Sequence, residues 1–491
     1  MMELSFRQQE NIGFRFVLDA MAPSSAYGRE LLRLLQPMDR TQRTELLRQL
    51  GNIQRVLEGE HACGKALNGL LRVMMSMKML RPTAEKCLET GLNEIELFEM
   101  KRFLLQIKEL LPYWQEVSQV VQLEGICIAD TAEALKILDP EGNGVATFHI
   151  GDTASAALQA VRAQKRMLEQ QLHLTADAKE KEQLLIRRSE AAGREEAEEA
   201  RIREEMSRQL RPHIPALLQN MQAIADLDLT VEKARLVRRW GGVMPTLTEN
   251  QLDLTGMVNP QVAELLRSSG RDFTPISLEL EQGVTVITGA NMGGKSVALK
   301  ALVLNVLLVQ YGFFPFAQEA QVPLFDGIHM LSEDLENVDR GLSSFGGEIV
   351  GFNQVVSQLD KGLHLVVLDE FARGTNPEEG AAIVKAVTQY LNTCPAITVL
   401  ATHFDAVAPL AKAHYQVVGL QQMDMAQLQR ELAGLSGHDG VAQISRHMNY
   451  GLYRVQEDPN CPRDALNVCR LLGMKPEILK LAEKEANPCR K

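Results

Sequence analysis

Gly289, Ala290, Asn291, Met292, Gly293, Gly294, Lys295 and Ser296 follow one another in the pattern G-x-x-x-x-G-K-[ST], complete at every fixed position. Chemistry needs that order of residue types. Glycines let backbone N–H groups curl around phosphate oxygens, and a helix beginning there adds further donors and a positive dipole. The pattern puts the Lys295 ammonium on the β- and γ-phosphates of ATP and the Ser296 hydroxyl on Mg²⁺. A second stretch, Leu363 to Glu370, is an apolar run that ends in two carboxylates. Asp369 is expected at the metal, in its coordination sphere or just outside it. Glu370 is expected to polarise the attacking water as general base.

Two further stretches suit an ABC-type ATPase better than a GTPase or a kinase. The apolar run Thr398–Ala401 leads to His403, the position of a switch residue near the γ-phosphate. Ser343, Ser344, Phe345, Gly346, Gly347 and Glu348 form a polar, glycine-containing segment. It resembles a signature loop that reaches the γ-phosphate held by a facing subunit, and it also reads as a helix N-cap.

Positioning these residues takes strands and helices in alternation. Val284–Thr288, Leu365–Leu368 and Ala396–Leu400 are short, β-branched and apolar throughout, and helical patterns such as Ser296–Gln310 and Glu379–Leu391 flank them. Continuous apolar strands between helices indicate a parallel sheet covered on both faces. Upstream the pattern is helical. Leu46, Leu50, Ile53 and Val56 recur at helical spacing, Pro82 marks a helix start, and Ile95–Leu111 is amphipathic. Asp139–Gly144 is a turn signal. Asp177–Glu205 carries ten acidic and seven basic residues and no aromatic one. It reads as a solvated helical arm or hairpin broken at Gly193, with Ile214–Val237 as its return.

The resulting fold class is multidomain: an N-terminal all-α core with long helical lever arms, then an α/β P-loop ABC-type ATPase domain and a C-terminal helical segment. The expected boundaries are 1–135 for the helical core and 136–240 for the lever helices with their arm. Residues 241–425 form the ATPase domain and 426–491 a helical dimerisation segment.

Composition sets the outer limits. At 491 residues, 45% hydrophobic and 23% charged, the chain has room for several cores. The net charge of −11 argues against a generic nucleic-acid binder, although a local basic face is compatible with it. Seven scattered cysteines form no CxxC pair and read as reduced thiols in a cytoplasmic protein. No apolar stretch has the length of a membrane span, and no secretory leader is expected.

Taken in order, G-A-N-M-G-G-K-S, S-S-F-G-G-E, L-D-E-F-A-R-G-T-N-P-E-E-G and A-T-H-F resemble the MutS family of ATPases over roughly residues 280–405. Ala223–Thr230 resembles, more weakly, the end of that family's lever helix. The resemblance implies a homodimer or heterodimer in which ATP lies between one subunit's phosphate loop and the other's Ser343–Gly347 segment. It makes Asn291 the phosphate-loop asparagine, and Phe273 is a candidate for contact with adenine. Ala290 departs from the family's usual proline, a change that leaves the backbone donors intact. The helical core begins near residue 10, so neither a mismatch-reading domain with its Phe-x-Glu wedge nor a connector is expected. No Smr nuclease is expected at the C-terminus, and the clamp reduces to residues 175–210. The later motifs look closer to the non-mismatch-reading MutS type.

Two classes of function follow. One is an ATP-driven dimeric clamp on duplex or branched DNA. The other is an ATP-dependent reactivating chaperone, similar to the MutS-related ATPases whose client is an adenosylcobalamin-dependent amino-acid aminomutase. Intact Lys295, Ser296, Asp369, Glu370 and His403 argue against an inactive scaffold.

Overall fold

Leu97, Met100, Leu104, Ile107, Leu110, Trp114, Val117 and Val121 are all buried on the helix Glu94–Val121, at the three- and four-residue spacing that makes one apolar face. The helix starts in a capping box in which Asn93 accepts from the Glu96 N–H and Glu96 reaches back to the Asn93 N–H. It runs through Pro112 without ending. The computed structural model describes residues 4–289, 294–332, 344–404, 406–419, 449–456, 466, 469–470 and 474–486. Among the described residues up to Trp240 every regular element is a helix, as the spacing of apolar residues predicts. None is long and apolar enough to cross a membrane.

The chain forms two compact units. One consists of Ala22–Leu35 and Asn52–Glu232, the other of Met1–Met21, Gln36–Gly51 and Lys233–Lys491. The first is helical. Within it Ala156–Leu174 and Ala178–Leu210 make the arm, a helical hairpin with a short connection. Little apolar surface joins its two helices: Leu168, Leu184 and Ala191 form one small cluster and Ile150, Leu158 and Ile202 another. Ion pairs do the rest. Arg162 bonds Asp152, Glu195 and Glu199, Lys165 bonds Glu195, and Arg188 bonds Glu169.

Gly193 does not break the arm. It lies inside a continuous helix, with open space where a side chain would stand. One glycine costs a helix only about 1 kcal/mol relative to alanine, too little to end a run of good helix formers such as Glu, Arg and Ala. Behind the arm, the helix Ile214–Trp240 buries Asp228 completely. The Asp228 carboxylate accepts from the Ser24 N–H, the Ser25 N–H and the Ser25 hydroxyl, at 3.0, 2.7 and 2.6 Å. Gly28 leaves room for it, since a Cβ there would sit 2.3 Å from an Asp228 oxygen.

The second unit holds two sheets. Thr246–Thr248 (β1), Leu252–Met257 (β2), Ile276–Leu280 (β3) and Glu319–Pro323 (β5) form a four-stranded sheet in the order β1-β5-β2-β3. Gly283–Thr288 (β4), Gly327–Leu331 (β6), His364–Asp369 (β7), Ala396–Ala401 (β8), Ala413–Gly419 (β9) and Asn449–Arg454 (β10) form a six-stranded one, ordered β10-β9-β4-β8-β7-β6. Its central strands β4, β8 and β7 are parallel, and β4 and β8 are buried along their whole length. Strands covered on both faces have no solvated side, which is why their sequences show no alternation.

One correction concerns the C-terminal segment 426–491, read from sequence as helical. Helix Pro476–Ala486 is there, but β10 precedes it and pairs antiparallel with β9 at the sheet edge. Four of its six residues are half-buried and two exposed, Gly451 is among them, and the register shifts between Asn449 and Leu452. A short, bulged edge strand gives too weak a periodic signal to be read from sequence. Most of the helical pattern at Ala465–Leu472 lies outside the described residues.

Candidate functional site

Ile287 and Asp369 both stand level with Ala401, one on each side of β8. Beyond that level the chain leaves the sheet three times. The Glu370 N–H donates to the Ala401 carbonyl at 3.0 Å, and the Thr402 N–H to the Ile287 carbonyl at 3.1 Å. The carboxyl ends of three parallel strands thus deliver Gly289, Asp369 with Glu370, and His403 to one edge, where open α/β sheets bind ligands.

Gly289 has φ +147°, and a Cβ there would lie 2.9 Å from Val417. Only glycine suits both the torsion and the space. The helix Gly294–Gln310 follows, buried along most of its length by alanine, valine and leucine. A Cβ on Gly294 would again meet Val417 at 2.9 Å, and the ring of Tyr450 on β10 at 3.4 Å.

Lys295 is buried in the first turn of this helix. Its ammonium donates to the Gly289 carbonyl at 2.7 Å and stands 3.5 Å from Glu370 Oε1. Burial pushes the Asp369 carboxyl above the usual carboxylate range, and the charge of Glu370 adds to the rise. A hydrogen bond from Ser296 and the charges of Lys295 and Lys300 oppose it. Asp369 Oδ1 is inaccessible to solvent and has no hydrogen-bond partner. An orphaned carboxylate oxygen beside a serine hydroxyl fits a hard cation completed by phosphate oxygens and water. It does not fit an all-protein metal cage, and among the described residues no group of three or more His, Cys, Asp or Glu could hold a metal.

Glu370 leaves β7 with φ +53°, a left-handed conformation uncommon for a side-chain-bearing residue. Its Oε2 accepts from Arg373 Nη1 at 2.6 Å. His403 is half-buried two residues beyond β8, its ring 4.6 Å from that of Phe404. The geometry therefore brings Gly289, Lys295, Ser296, Asp369 and Glu370 together, with His403 at the same sheet edge. Ala290, Asn291, Met292, Gly293 and Ser343 lie outside the described residues. Ser344 begins the helix Ser344–Val356, and Gly346 is half-buried in its first turn. Phe273 is half-buried three residues before β3, and its neighbour Thr274 lies against β10 at Gly451.

Three residues at this edge escape sequence reasoning: Arg373, Glu348 and Tyr450. Arg373 stands three residues after Glu370, a spacing that brings side chains together on any helical turn. Glu348 closes the Ser343–Glu348 segment, and its Oε2 accepts from the Ala372 N–H at 3.0 Å. Tyr450 offered no signal, since its strand offered none.

Residues 285–485 match the family described as MutS domain V. The chain is 29% identical over 271 residues to the Endonuclease MutS2 of Leuconostoc mesenteroides, covering 54% of this chain and 33% of that protein. It is 31% identical over 245 residues to the Endonuclease MutS2 of Thermomicrobium roseum (47% and 31% of the two chains). Against the DNA mismatch repair protein Msh3 of Mus musculus it is 27% identical over 273 residues (55% and 25%). These matches span a third or less of each relative's length. The matched region contains β7 and β8 and ends beyond β10, so the site at their carboxyl edge lies within the segment of this chain that is similar to MutS domain V.

Proposed function

We propose that this chain is a cytoplasmic ATPase of the P-loop ABC type, working as a dimer in a DNA-repair-type role. Residues 241–425 would be its ATPase domain, 1–135 its helical core, 136–240 its lever helices and 426–491 its dimerisation segment. The observation that carries the reading is the arrangement around Lys295: a buried ammonium between the Gly289 carbonyl and the Glu370 carboxylate, with the orphaned Asp369 oxygen close to Ser296. A buried ammonium at the start of a helix, facing a glycine-flanked loop, suits an incoming phosphate. Lys295 would move to the β- and γ-phosphates, and Ser296 and Asp369 would hold Mg²⁺, which supplies charge neutralisation on the phosphate oxygens.

Glu370 would take a proton from water as the water oxygen bonds to the γ-phosphorus. The bond from that phosphorus to the β–γ bridging oxygen breaks, and ADP and phosphate leave. His403 would orient groups at the γ-phosphate, and the Ser343–Gly347 segment of a facing subunit would complete the site. Phe273 is the proposed adenine contact. Closure of the dimer would move the arms through Ile214–Trp240, the helix that runs on from the arm.

The relatives, an endonuclease and a DNA mismatch repair protein by name, support DNA as the partner. One observation favours a second reading, a protein client. Arg162, Lys165, Arg166, Arg188, Arg201, Arg203, Arg208 and Arg211 each pair with a carboxylate within the same unit. Cations already paired release fewer counterions on meeting phosphates. ATP turnover with and without duplex, mismatched and branched DNA at physiological salt separates the two. Stimulation by DNA supports the first reading, and no stimulation with no retention on DNA removes it.

A further inference from the structure

We infer that Glu370 is parked in this structure, and that Glu348 is the tether through which the helix Ser344–Val356 sets it free. The inference rests on the ATPase reading and concerns how that site is switched.

Both oxygens of Glu370 are engaged. Oε2 accepts from Arg373 Nη1 at 2.6 Å, and Oε1 faces Lys295 Nζ at 3.5 Å. A general base needs an oxygen open to the water whose proton it takes. In this pose a cation faces each of them, and both are turned toward the protein's own charges. The pose is held by backbone as well as by charge. Glu370 and Ala372 both have left-handed torsions, φ +53° and +61°. Such torsions are unfavourable for residues other than glycine and persist only where neighbours enforce them. Here the Glu370 N–H is fixed to the Ala401 carbonyl, and the Arg373 N–H reaches back to the Glu370 carbonyl at 3.3 Å. Gly380 closes the other side, since a Cβ on it would come 2.8 Å from the Ala372 carbonyl oxygen.

One more restraint comes from a different element. The Ala372 N–H donates to Glu348 Oε2 at 3.0 Å, a buried bond to a buried carboxylate. Glu348 lies in the second turn of Ser344–Val356, just past the Ser343–Gly347 segment that the ATPase reading sets against a facing subunit's phosphate. Phe352 of the same helix packs on Phe371, ring centroids 5.2 Å apart. The helix and the turn 370–373 are therefore joined by a charge-assisted hydrogen bond and by an aromatic contact. A shift of the helix carries the turn with it.

Release then has two separate causes. Phosphate in the Gly289–Ser296 loop competes with Glu370 for Lys295. The shift of Ser344–Val356 on engagement with a facing subunit pulls, through Glu348, on Ala372 in the middle of the turn and so parts Glu370 from Arg373. The Arg373 side chain is 48% exposed, so its guanidinium can return to water at little desolvation cost. Arg373 and Glu348 are positioning residues here, acting through Glu370.

The test is steady-state ATP turnover by the full chain across ATP and protein concentration, for wild type, Arg373→Ala, Glu348→Ala and Glu348→Gln. Glu370→Gln gives the baseline without a base, and a fluorescent ATP analogue reports binding. Arg373→Ala is expected to raise kcat several-fold at low protein concentration while KM stays unchanged. Glu348→Ala is expected to flatten the rise of turnover with protein concentration. Glu348→Gln should restore it, because an amide oxygen can still accept from the Ala372 N–H. Unchanged or lowered kcat in Arg373→Ala overturns the inference, as does a wild-type concentration profile in Glu348→Ala. Should Glu348→Ala fail to fold, Arg373→Ala and Glu348→Gln decide the matter alone. Analogue binding that persists while Arg373→Ala gains nothing sinks the parking of Glu370 and leaves the ATP site standing. Absence of analogue binding in wild type removes both.

Discussion

The Lys295 ammonium stands 3.5 Å from the Glu370 carboxylate while donating to the Gly289 carbonyl at 2.7 Å. A phosphate entering the loop meets a cation that is already desolvated and must only exchange partners. Lys295→Ala should weaken binding of an ATP analogue about ten- to hundredfold, the range for a lost charge-assisted hydrogen bond of about 1.5–3 kcal/mol. Titration of the fluorescent analogue against variant and wild type measures it. Equal affinities would take Lys295 out of the phosphate site.

Asp369 should make the nucleotide-free protein less stable than it could be. Burial raises its carboxyl in the folded state above the unfolded value. A raised carboxyl binds its proton more tightly when folded, so its ionisation works against folding as pH climbs above the ordinary carboxylate range. The penalty is present at neutral pH and vanishes as pH falls below the unfolded value. Asp369→Asn should therefore melt at a higher temperature than wild type at neutral pH, and the gap should close toward acidic pH. With ATP and Mg²⁺ the order should reverse, because the bound ligand stabilises only the chain that holds it well. Thermal melts at several pH values, with and without nucleotide, test both halves. A variant that melts lower than wild type at neutral pH without ligand contradicts the assignment of strain to Asp369.

Much of this site is legible in the sequence because its physics is local. The glycine at 289 answers to one torsion and one close approach, and the apolar runs of β4, β7 and β8 answer to burial on both faces. Arg373 and Glu348 are different. Their significance lies in contacts to a carboxylate and to a backbone N–H, 3 and 24 residues away along the chain. The motif S-S-F-G-G-E marks out Glu348, but nothing in residue type or spacing gives it a bond to the Ala372 N–H. Tyr450 is hidden for a further reason, since the edge strand that carries it has neither alternation nor continuous burial. Residues 1–21 and 36–51 read as part of a helical core, and the regular elements among the described ones are helices. That they pack within the unit containing the sheets depends on long-range contacts that helical periodicity cannot encode.

His329 on β6 and His364 on β7 share a hydrogen bond, Nε2 to Nδ1, at 3.0 Å with their rings stacked. One nitrogen must donate and the other accept, so both rings cannot carry the extra proton without losing the bond. Burial, with the neighbouring His364 adding to it, lowers His329 to about 4 from an ordinary 6.5. Burial lowers His364 as well, against the opposing charge of Asp326. Unfolded histidines take up protons first as pH falls, so stability is lost from about pH 6.5 down to pH 4. His329→Gln should shrink the acid-induced fall in melting temperature over that window. An identical pH profile in variant and wild type would show that the pair does not set acid stability.

Arg162 holds the arm together at its base. Its guanidinium donates to the Ile150 carbonyl, Asp152, Glu195 and Glu199, all within 3.0 Å, with the side chain only 10% exposed. Removing it leaves Glu195 to Lys165 and Glu199 to Arg203 alone, on a helix pair whose nearby apolar cluster is only Ile150, Leu158 and Ile202 among the described residues. Arg162→Ala should loosen the hairpin by about 2–3 kcal/mol, the range for losing a buried set of charge-assisted hydrogen bonds whose acceptors keep only one other cation each. Hydrogen exchange across Ala156–Leu210 should accelerate, while the amides of β4, β7 and β8 keep their protection. Salt offers a second discriminant: exposed pairs such as Arg201–Glu198 screen readily, whereas the Arg162 cluster should resist. Arm protection that falls as steeply with salt in wild type as in the variant would mean that Arg162 is not its main anchor.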